Sequence, residues 1–343
     1  MKTFYSPAHL EHRPAQEFER GRMTPAVEVP ERAEAVRRRI ATRAIGPILS
    51  PVPFDDAAIA RVHDQSLVRF LARAHDEWRA RYGNDAADAI PSCWPAHGLR
   101  PRERNDVEAK LGAFVFDTAT PITRGTWPAA RTAADVALSA AKAIFDGERS
   151  AFALTRPPGH HAAADFFGGY CYLNNVAIAA QWLCDRGLRP AILDVDYHHG
   201  NGTQAIFYSR KDVFFCSLHA DPASDYPHYS GFADEQGAGE GEEATLNLPM
   251  PRETEWRIYG HALARASEAI ASFGADALLV SLGLDTFAQD PISFFRLQSE
   301  DYLRLGAAVA KIRQPTLFVF EGGYHLESLA ENTTNVLEGF LGA

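Results

Sequence analysis

The sequence predicts an α/β protein: a central, mainly parallel, multi-stranded sheet flanked by helices. Three observations support this fold class. Short apolar runs recur in the second half of the chain, each run is nearly continuous, and helix-like or long polar stretches separate them. A continuous apolar run is typical of a strand buried on both faces, as in a parallel sheet. The alternation of strand and helix predicts right-handed crossovers around one sheet.

The individual elements follow from these runs. The predicted strands are residues 151–154, 191–195, 213–218, 277–282 and 316–320. The predicted helices are residues 128–145, 174–185, 253–273, 300–312 and 326–340. The first of these helices is rich in alanine, which favours a helix and permits close packing against neighbours.

Length and charge restrict the classes of function. With 343 residues and 46% hydrophobic composition, the chain is long enough for one large domain, and we expect residues 1–343 to form it. The formal net charge of -10 disfavours a nucleic-acid-binding surface and favours the approach of a cationic substrate.

The amino terminus and the cysteines predict the compartment. Residues 1–10 are polar where a secretory signal would need an apolar core, and no run reaches the length of a membrane span, so we expect a cytoplasmic protein. The cysteines lack the CxxC spacing of thiolate zinc sites, and neither such a site nor a disulfide framework is indicated. They are Cys93, Cys171, Cys184 and Cys216.

Residues 76–104 interrupt the regular pattern. They combine two tryptophans, several arginines and proline-marked turns without clear periodicity. Long excursions inside a compact domain are usually functional or form an interface, although a mobile surface loop remains the alternative.

The segment 191–203 contains the strongest chemical signal. Side chains two residues apart lie on the same face of a strand, so Asp194, Asp196 and His198 would project together from its carboxyl end. Open α/β sheets bind ligands at the carboxyl ends of their strands.

Other predicted strands lead to the same edge of the sheet. They end at Asp285, at the turn 321–324 with Tyr324, and at the pair His160 and His161. Two carboxylates and one imidazole around a divalent ion leave coordination positions open for water and substrate, as in a catalytic site. We therefore predict Asp196, His198 and Asp285 as the metal ligands.

Each of these residues has an ordinary alternative explanation. A single aspartate after a strand is more often a helix cap, and a single histidine is more often a hydrogen-bonded structural residue. The convergence of several such groups on one predicted edge favours the catalytic interpretation.

Four motifs of this chain resemble the signature blocks of the arginase/histone deacetylase superfamily. They are residues 156–161 (RPPGHH), 194–202 (DVDYHHGNG), 281–285 (SLGLD) and 321–324 (EGGY). Within the superfamily the chain is most similar to the bacterial acetylpolyamine amidohydrolases. The stretches that carry this likeness are residues 28–32, 167–175, 219–222, 226–228 and 289–295.

The resemblance implies an arginase/deacetylase-like fold and a Zn²⁺-dependent amidohydrolase, with Fe²⁺ as the alternative metal. It also implies a homodimer in which an excursion loop, here residues 76–104, completes a narrow channel. Tyr324 would donate a hydrogen bond to the oxyanion. His161 would act as general base, oriented by Asn201, and His160 would be its electrostatic partner.

Asp194 has two expected roles. It would hydrogen-bond the ring of His160, and the family resemblance also implies a structural K⁺ site formed by Asp194, Ser217 and Leu218 with backbone oxygens of Asp196 and His198. The alternative is that Asp194 only caps local amides, since every buried carboxylate needs a partner.

One departure from the superfamily pattern concerns the number of metal ions. Arginase-type enzymes use a further acid to hold a second Mn²⁺, and Gly283 stands at that position here. The ligand count therefore favours a mononuclear site over a binuclear ureohydrolase. A non-catalytic binding module is a further alternative, which the presence of Tyr324, His161 and all the metal ligands disfavours.

The predicted substrate is a small acetylated amine. Phe167, Gly169, Tyr170, Tyr226 and Tyr229 would provide contacts along the channel, where aromatic rings can flank an alkyl chain or an ammonium group. Asp106, Glu108 or Asp117 could attract a distal ammonium, although surface carboxylates are usually only solvated. Acetylated diamines and polyamines are the expected substrates, and acetyl-lysine in peptides or proteins is the alternative.

Overall fold

The chain forms ten strands within the residues that the structure describes. The structure is a computed structural model and describes residues 1–83, 86–96 and 105–343. The strands are β1 (Lys2–Phe4), β2 (Gln16–Glu19), β3 (Arg22–Pro25), β4 (Ile48–Leu49), β5 (Ser150–Ala153), β6 (Pro190–Asp194), β7 (Phe214–Ala220), β8 (Thr245–Met250), β9 (Ala277–Leu282) and β10 (Thr316–Phe320).

Eight of these strands form one parallel sheet in the order β4-β1-β5-β10-β9-β6-β7-β8. The strands β2 and β3 form a separate antiparallel hairpin. The predicted α/β fold with one parallel sheet is confirmed. The five strands predicted from the sequence are the five adjacent central ones, β5, β10, β9, β6 and β7.

The three strands of the large sheet that sequence reasoning missed lie at its two edges. β1 and β4 are too short to show a periodic pattern. β8 contains Pro249, and a proline is tolerated in an edge strand because its missing N–H faces away from the ladder. Edge strands lack the continuous apolar run that double-sided burial requires, so the sequence signal was absent.

The helices flank the sheet. They are α1 (Glu31–Thr42), α2 (Ala57–Ala60), α3 (Gln65–Tyr82), α4 (Val107–Phe114), α5 (Thr126–Phe145), α6 (Asn175–Cys184), α7 (Asn201–Phe207), α8 (Trp256–Phe273), α9 (Ser299–Ala310) and α10 (Leu326–Leu341). The five predicted helices correspond to α5, α6, α8, α9 and α10. The prediction placed the start of α8 too early, because Glu253 has a left-handed φ of 62° that no α-helix accommodates.

The predicted excursion at residues 76–104 is partly corrected. Its first part, through Tyr82, is the end of α3. Residues 84–85 and 97–104 lie outside the described residues. In between, Ala89 pairs with Ile122, and the Trp94 indole donates to the carbonyl of Val115 at 2.8 Å. The proposed contribution of this loop to a partner's channel stays a prediction.

Apolar side chains on the two faces of the sheet form two cores. Along β5, Ala151 and Ala153 face a core shared with α5 and α6, whereas Phe152 faces a core shared with α1, α8, α9 and α10. This alternation follows from the two-residue period of a strand. Among the described residues, no helix is both long and apolar enough to cross a bilayer.

Candidate active site

The candidate metal ligands lie after two neighbouring strands. Asp196 and His198 follow β6, and Asp285 follows β9, the strand paired with β6. The His198 Nδ1 atom lies 2.9 Å from Asp285 Oδ2 and 3.3 Å from Asp196 Oδ1. One ligand atom from each residue lies within 4.8 Å of the others. The structure thus brings together the three residues predicted to bind the metal.

The donor set and its electrostatics fit a divalent cation. Burial, and next the charge of Asp196, raise the pKa of Asp285 to about 7, since two carboxylates enclosed together oppose each other's ionisation. Burial alone would lower the pKa of His198, but its hydrogen bonds to Asp196 and Asp285 raise it to about 10. A bound cation would replace the proton that these groups otherwise compete for.

Glycines enclose the Asp196 carboxylate. A Cβ atom at Gly283 would lie 2.1 Å from Asp196 Oδ2, and one at Gly322 would lie 2.5 Å from the same atom. The backbone N–H of Gly322 donates to Asp196 Oδ2 at 2.9 Å. No acidic side chain can therefore stand at position 283 without displacing Asp196, which supports a site for one metal ion.

The tandem histidines differ in their partners. His160 Nδ1 donates to Asp194 Oδ2 at 2.9 Å, whereas His161 Nδ1 donates to Asn201 Oδ1 at 2.6 Å. Burial would lower the pKa of His160, but the charges of Asp194 and Asp196 outweigh burial and raise it to about 10. The two histidines therefore have different electrostatic surroundings.

His161 is held neutral. Burial, and next the charges of His160 and His198, place the pKa of His161 well below the ordinary value. Because its Nδ1 proton is donated to Asn201, the Nε2 atom is the one free to accept a proton. A neutral imidazole with a free lone pair can act as a general base.

Gly169 packs directly against His161. A Cβ atom at Gly169 would lie 2.2 Å from His161 Cδ2, and its φ of 55° is left-handed. Its backbone N–H donates to Asp117 Oδ2 at 2.6 Å. Both the contact and the backbone angle require glycine.

Tyr324 lies in a turn held by Arg32. The buried guanidinium donates from Nη2 to the Glu321 carbonyl and from Nε to the Gly323 carbonyl, both at 2.6 Å, and lies 4.6 Å from the centroid of the Tyr324 ring. Burial raises the pKa of the Tyr324 phenol well above its ordinary value. The phenol therefore stays protonated and can donate a hydrogen bond.

The tandem histidines, His198 and Tyr324 border one cavity of about 270 Å³. Several residues predicted from the sequence line it, namely Asp117, His160, His161, Gly169, Tyr170, His198, Tyr226 and Tyr324. The rings of Tyr170 and Tyr324 lie 5.5 Å apart, and the ring of Tyr226 lies perpendicular to that of His161 at 5.1 Å. The cavity is thus narrow, aromatic and adjacent to the predicted metal ligands.

Some predicted substrate contacts lie elsewhere. Phe167 is 0% exposed and packs against Tyr172 in the core, because its backbone N–H and carbonyl pair with residues 114 and 116 and turn its ring inward. Glu108 accepts hydrogen bonds from Tyr82 and Ser92 outside the cavity. For these two residues the predicted placement along this chain's cavity is wrong.

Two further predicted residues are also outside the cavity lining. Tyr229 is 93% exposed to solvent. Asp106 caps α4 by accepting a hydrogen bond from the Glu108 N–H at 2.9 Å, which is the ordinary role of an aspartate before a helix.

Sequence reasoning missed the part of the cavity formed by the β2–β3 hairpin. Glu19 and Arg20 line the cavity at the tip of this hairpin. The loop Arg20-Gly21 has positive φ at both positions, 48° and 81°. A glycine between two short runs of alternating polarity is the signal that could have revealed a tight hairpin.

Comparison with known proteins identifies the family. The histone deacetylase domain matches residues 26–340 of the chain. The chain belongs to the histone deacetylase family. The tandem histidines, the predicted metal ligands and Tyr324 of this deacetylase-family chain all lie within the matched region.

Several named relatives match this deacetylase-family chain over its whole length. Acetylpolyamine amidohydrolase 2 of Pseudomonas aeruginosa is 48% identical over 100% of this chain and 99% of its own. The acetylpolyamine amidohydrolase of Mycoplana ramosa is 43% identical over 100% of both chains. A crystal structure of an acetylpolyamine aminohydrolase from Burkholderia pseudomallei superimposes with a TM-score of 0.94 at 42% identity, covering 99% of this chain and 98% of that one.

The family also determines the class of activity. This deacetylase-family chain is a hydrolase that acts on amide bonds. A more distant neighbour, the HD domain of HDA15, has a TM-score of 0.81 at 26% identity over 99% of this chain and 89% of that one. The predicted superfamily and the predicted similarity to acetylpolyamine amidohydrolases are both confirmed.

Proposed function

We propose that this enzyme is a Zn²⁺-dependent amidohydrolase that removes acetyl groups from small acetylated diamines or polyamines. The observation that carries the proposal is the cluster of Asp196, His198 and Asp285 beside a narrow cavity that is lined by His198, Tyr324 and neutral His161. A divalent ion in this ligand set supplies Lewis acidity towards the amide carbonyl and lowers the pKa of water.

The protein's own groups perform the remaining steps. The Nε2 atom of His161 accepts the proton of the attacking water and later donates it to the leaving amine. The phenol of Tyr324 donates a hydrogen bond to the oxyanion of the tetrahedral intermediate. The charged pair of His160 and Asp194 lies beside His161 and opposes its protonation in the resting enzyme.

The charges of the cavity support a cationic substrate. Glu19 and Arg20 form an ion pair at 3.2 Å, and Asp225 and Arg252 form another at 3.0 Å. Asp117 also lines the cavity but has no ion-pair partner within the described residues. Its carboxylate accepts the Tyr226 hydroxyl at 2.9 Å and three further hydrogen bonds from the protein, so it would attract an ammonium group through its charge.

A kinetic panel tests the substrate. We expect kcat/KM for N-acetylputrescine and N-acetylcadaverine to exceed that for N-butylacetamide, the matched neutral amide, by about 10- to 100-fold, the effect of one charge-assisted contact. Asp117→Asn is expected to reduce this preference for the charged substrate. Comparable kcat/KM on acetyl-lysine peptides would favour the alternative, a peptide or protein deacetylase.

Metal analysis tests the zinc assignment. We expect one Zn²⁺ per active chain, with Fe²⁺ as a competent replacement because the same donor types bind both ions. Two Mn²⁺ per chain together with guanidine cleavage would support a ureohydrolase instead.

We also propose the structural K⁺ site at Asp194, Ser217 and Leu218. Asp194 and Ser217 are register partners on β6 and β7, and the Ser217 hydroxyl donates to His219 Nδ1 at 2.8 Å, so its lone pairs are free. Thermal unfolding in KCl and in choline chloride at equal ionic strength tests this. A higher midpoint in KCl, reduced in Ser217→Ala, is expected, and equal midpoints would leave Asp194 as a cap of the Asp196 amide.

A further inference from the structure

The backbone of the turn that carries Tyr324 is anchored at several points. Besides the Arg32 bonds and the Gly322 N–H bond to Asp196, the Gly322 carbonyl accepts from Leu284 N at 3.0 Å. The Tyr324 N–H donates to Asp290 Oδ2 at 2.7 Å. Asp290 therefore holds the backbone of the residue that carries the phenol.

Asp290 uses both carboxylate oxygens for backbone donors. Its Oδ1 atom accepts from Ile292 N at 3.1 Å while Oδ2 holds Tyr324, and its own N–H donates to the Phe287 carbonyl at 3.0 Å. Only 7% of the residue is exposed, and it is outside the cavity lining, although Ile292 lines the cavity. Any effect of Asp290 on a substrate must therefore act through Tyr324 or its loop.

The loop that contains Asp290 also carries a metal ligand. Asp285 lies five residues earlier, and its carbonyl accepts a hydrogen bond from the Ser293 hydroxyl. The loop is closed further by Ala288 N, which donates to the Leu297 carbonyl at 2.9 Å. One short loop thus connects the Asp285 carboxylate to the backbone of Tyr324.

We propose that Asp290 is a positioning residue that sets the distance between the phenol of Tyr324 and the metal ligands. The inference rests on the proposed function, because it presupposes that Tyr324 donates to the oxyanion. Within the described residues the phenol itself has no hydrogen-bond partner, so its position depends on the ring contacts and on the backbone anchor. Because the ring of Tyr324 is rigid, a small shift of the Tyr324 backbone also moves its hydroxyl.

Both oxygens of the carboxylate are required. Two backbone N–H groups face Asp290, and an asparagine would present its NH₂ group to one of them. Asp290→Asn therefore keeps one of the two bonds and should have an intermediate effect, whereas Asp290→Ala loses both.

A double-mutant cycle with Tyr324→Phe tests the inference on the metal-loaded enzyme. We expect Asp290→Ala to lower kcat for N-acetylputrescine by about 100-fold, the scale of a misplacement near 1 Å, with KM and metal content little changed. In the Tyr324→Phe background the same substitution should change kcat by less than about twofold, since the group it positions is already absent.

Asp301→Ala is the matched control. Asp301 is also a buried carboxylate that accepts a backbone N–H, from Gln298 at 2.9 Å, but it caps α9 and is outside the cavity lining. Its loss should lower the thermal midpoint and leave kcat unchanged in both backgrounds. If Asp290→Ala does not fold, Asp290→Asn replaces it in the double-mutant cycle with Tyr324→Phe.

The outcomes separate the two proposals. An equal fold-loss from Asp290→Ala with and without the phenol overturns the positioning role, while the impaired Tyr324→Phe enzyme still supports the proposed mechanism. Wild-type turnover in Tyr324→Phe alone would instead show that Tyr324 does not stabilise the oxyanion. The positioning role of Asp290 would then be excluded as well.

Discussion

The turn that carries Tyr324 also contacts a proposed metal ligand, but the two parts of the turn have separable functions. The backbone of Gly322 contacts Asp196, whereas the phenol of Tyr324 faces the cavity. Removing the hydroxyl in Tyr324→Phe should therefore lower kcat by about 10²- to 10³-fold, the effect of losing one oxyanion donor, and leave the metal bound. Steady-state kinetics and elemental analysis of the same preparation check this, and wild-type rates would exclude the role.

His161 should be essential for turnover and dispensable for metal binding. We expect His161→Ala to reduce kcat by about 10²- to 10⁴-fold, because the general base is lost while the ligand atoms remain. His75→Ala, at a partly buried histidine of α3 outside the cavity lining, is the control. Metal-free His161→Ala protein would show instead that this imidazole is a ligand.

At the scale of elements, His63 links the start of α3 to the start of α6. Its Nδ1 atom donates to the Ala163 carbonyl at 2.7 Å, and its Nε2 atom accepts from Asn174 N at 2.9 Å. A ring with one donor and one acceptor nitrogen in use must be neutral. Burial accordingly lowers the pKa of His63 to about 4.

The pH dependence of stability follows from this shift. The pKa of His63 is lower in the folded state than in the unfolded state. The stability that His63 contributes is therefore fully present above pH 6.5 and is lost as the pH falls towards 4. From pH 7.5 to pH 5 the contribution of His63 should fall by about 2 kcal/mol. Denaturant unfolding of wild type and His63→Gln at both pH values measures it, and an identical pH slope would contradict the prediction.

At the scale of the whole molecule, metal binding should stabilise the fold. The ligands follow β6 and β9 in the middle of the sheet, so an ion joins two central strands. Zn²⁺ at about 1,000 times its dissociation constant should add about 4 kcal/mol to the free energy of unfolding. Chelation should lower the thermal midpoint of wild type, whereas Asp285→Ala should bind no Zn²⁺ at micromolar concentrations and show no such response.

The extent of the sequence prediction also depends on scale. The central strands were predictable, because double-sided burial imposes apolar runs. The proximity of Asp196, His198 and Asp285 was predictable too, because parallel strands place their carboxyl ends at one edge. The hairpin tip at Glu19 and the anchor at Asp290 were not recognised as parts of the site. Their roles depend on contacts with residues far away in the sequence. The cytoplasmic location and the homodimer stay predictions.

Phe167 and Asp117 show where local sequence is insufficient. Both belong to stretches near the cavity, yet Phe167 turns into the core and Asp117 lines the cavity. The difference arises from backbone pairing with distant segments, which decides the face that a side chain occupies.

The sequence by itself determined the chemistry of this protein: which strands are buried, which donor types follow them, and that position 283 offers no further acid. Only the tertiary structure decided the arrangement of charge and shape. The buried Glu28 bridges Arg32 and Arg156, at 2.8 Å each, and their charges outweigh burial and lower its pKa to about 2. These partners are separated by up to 128 residues, and no local pattern encodes such a contact, because it exists only once the sheet has brought the segments together.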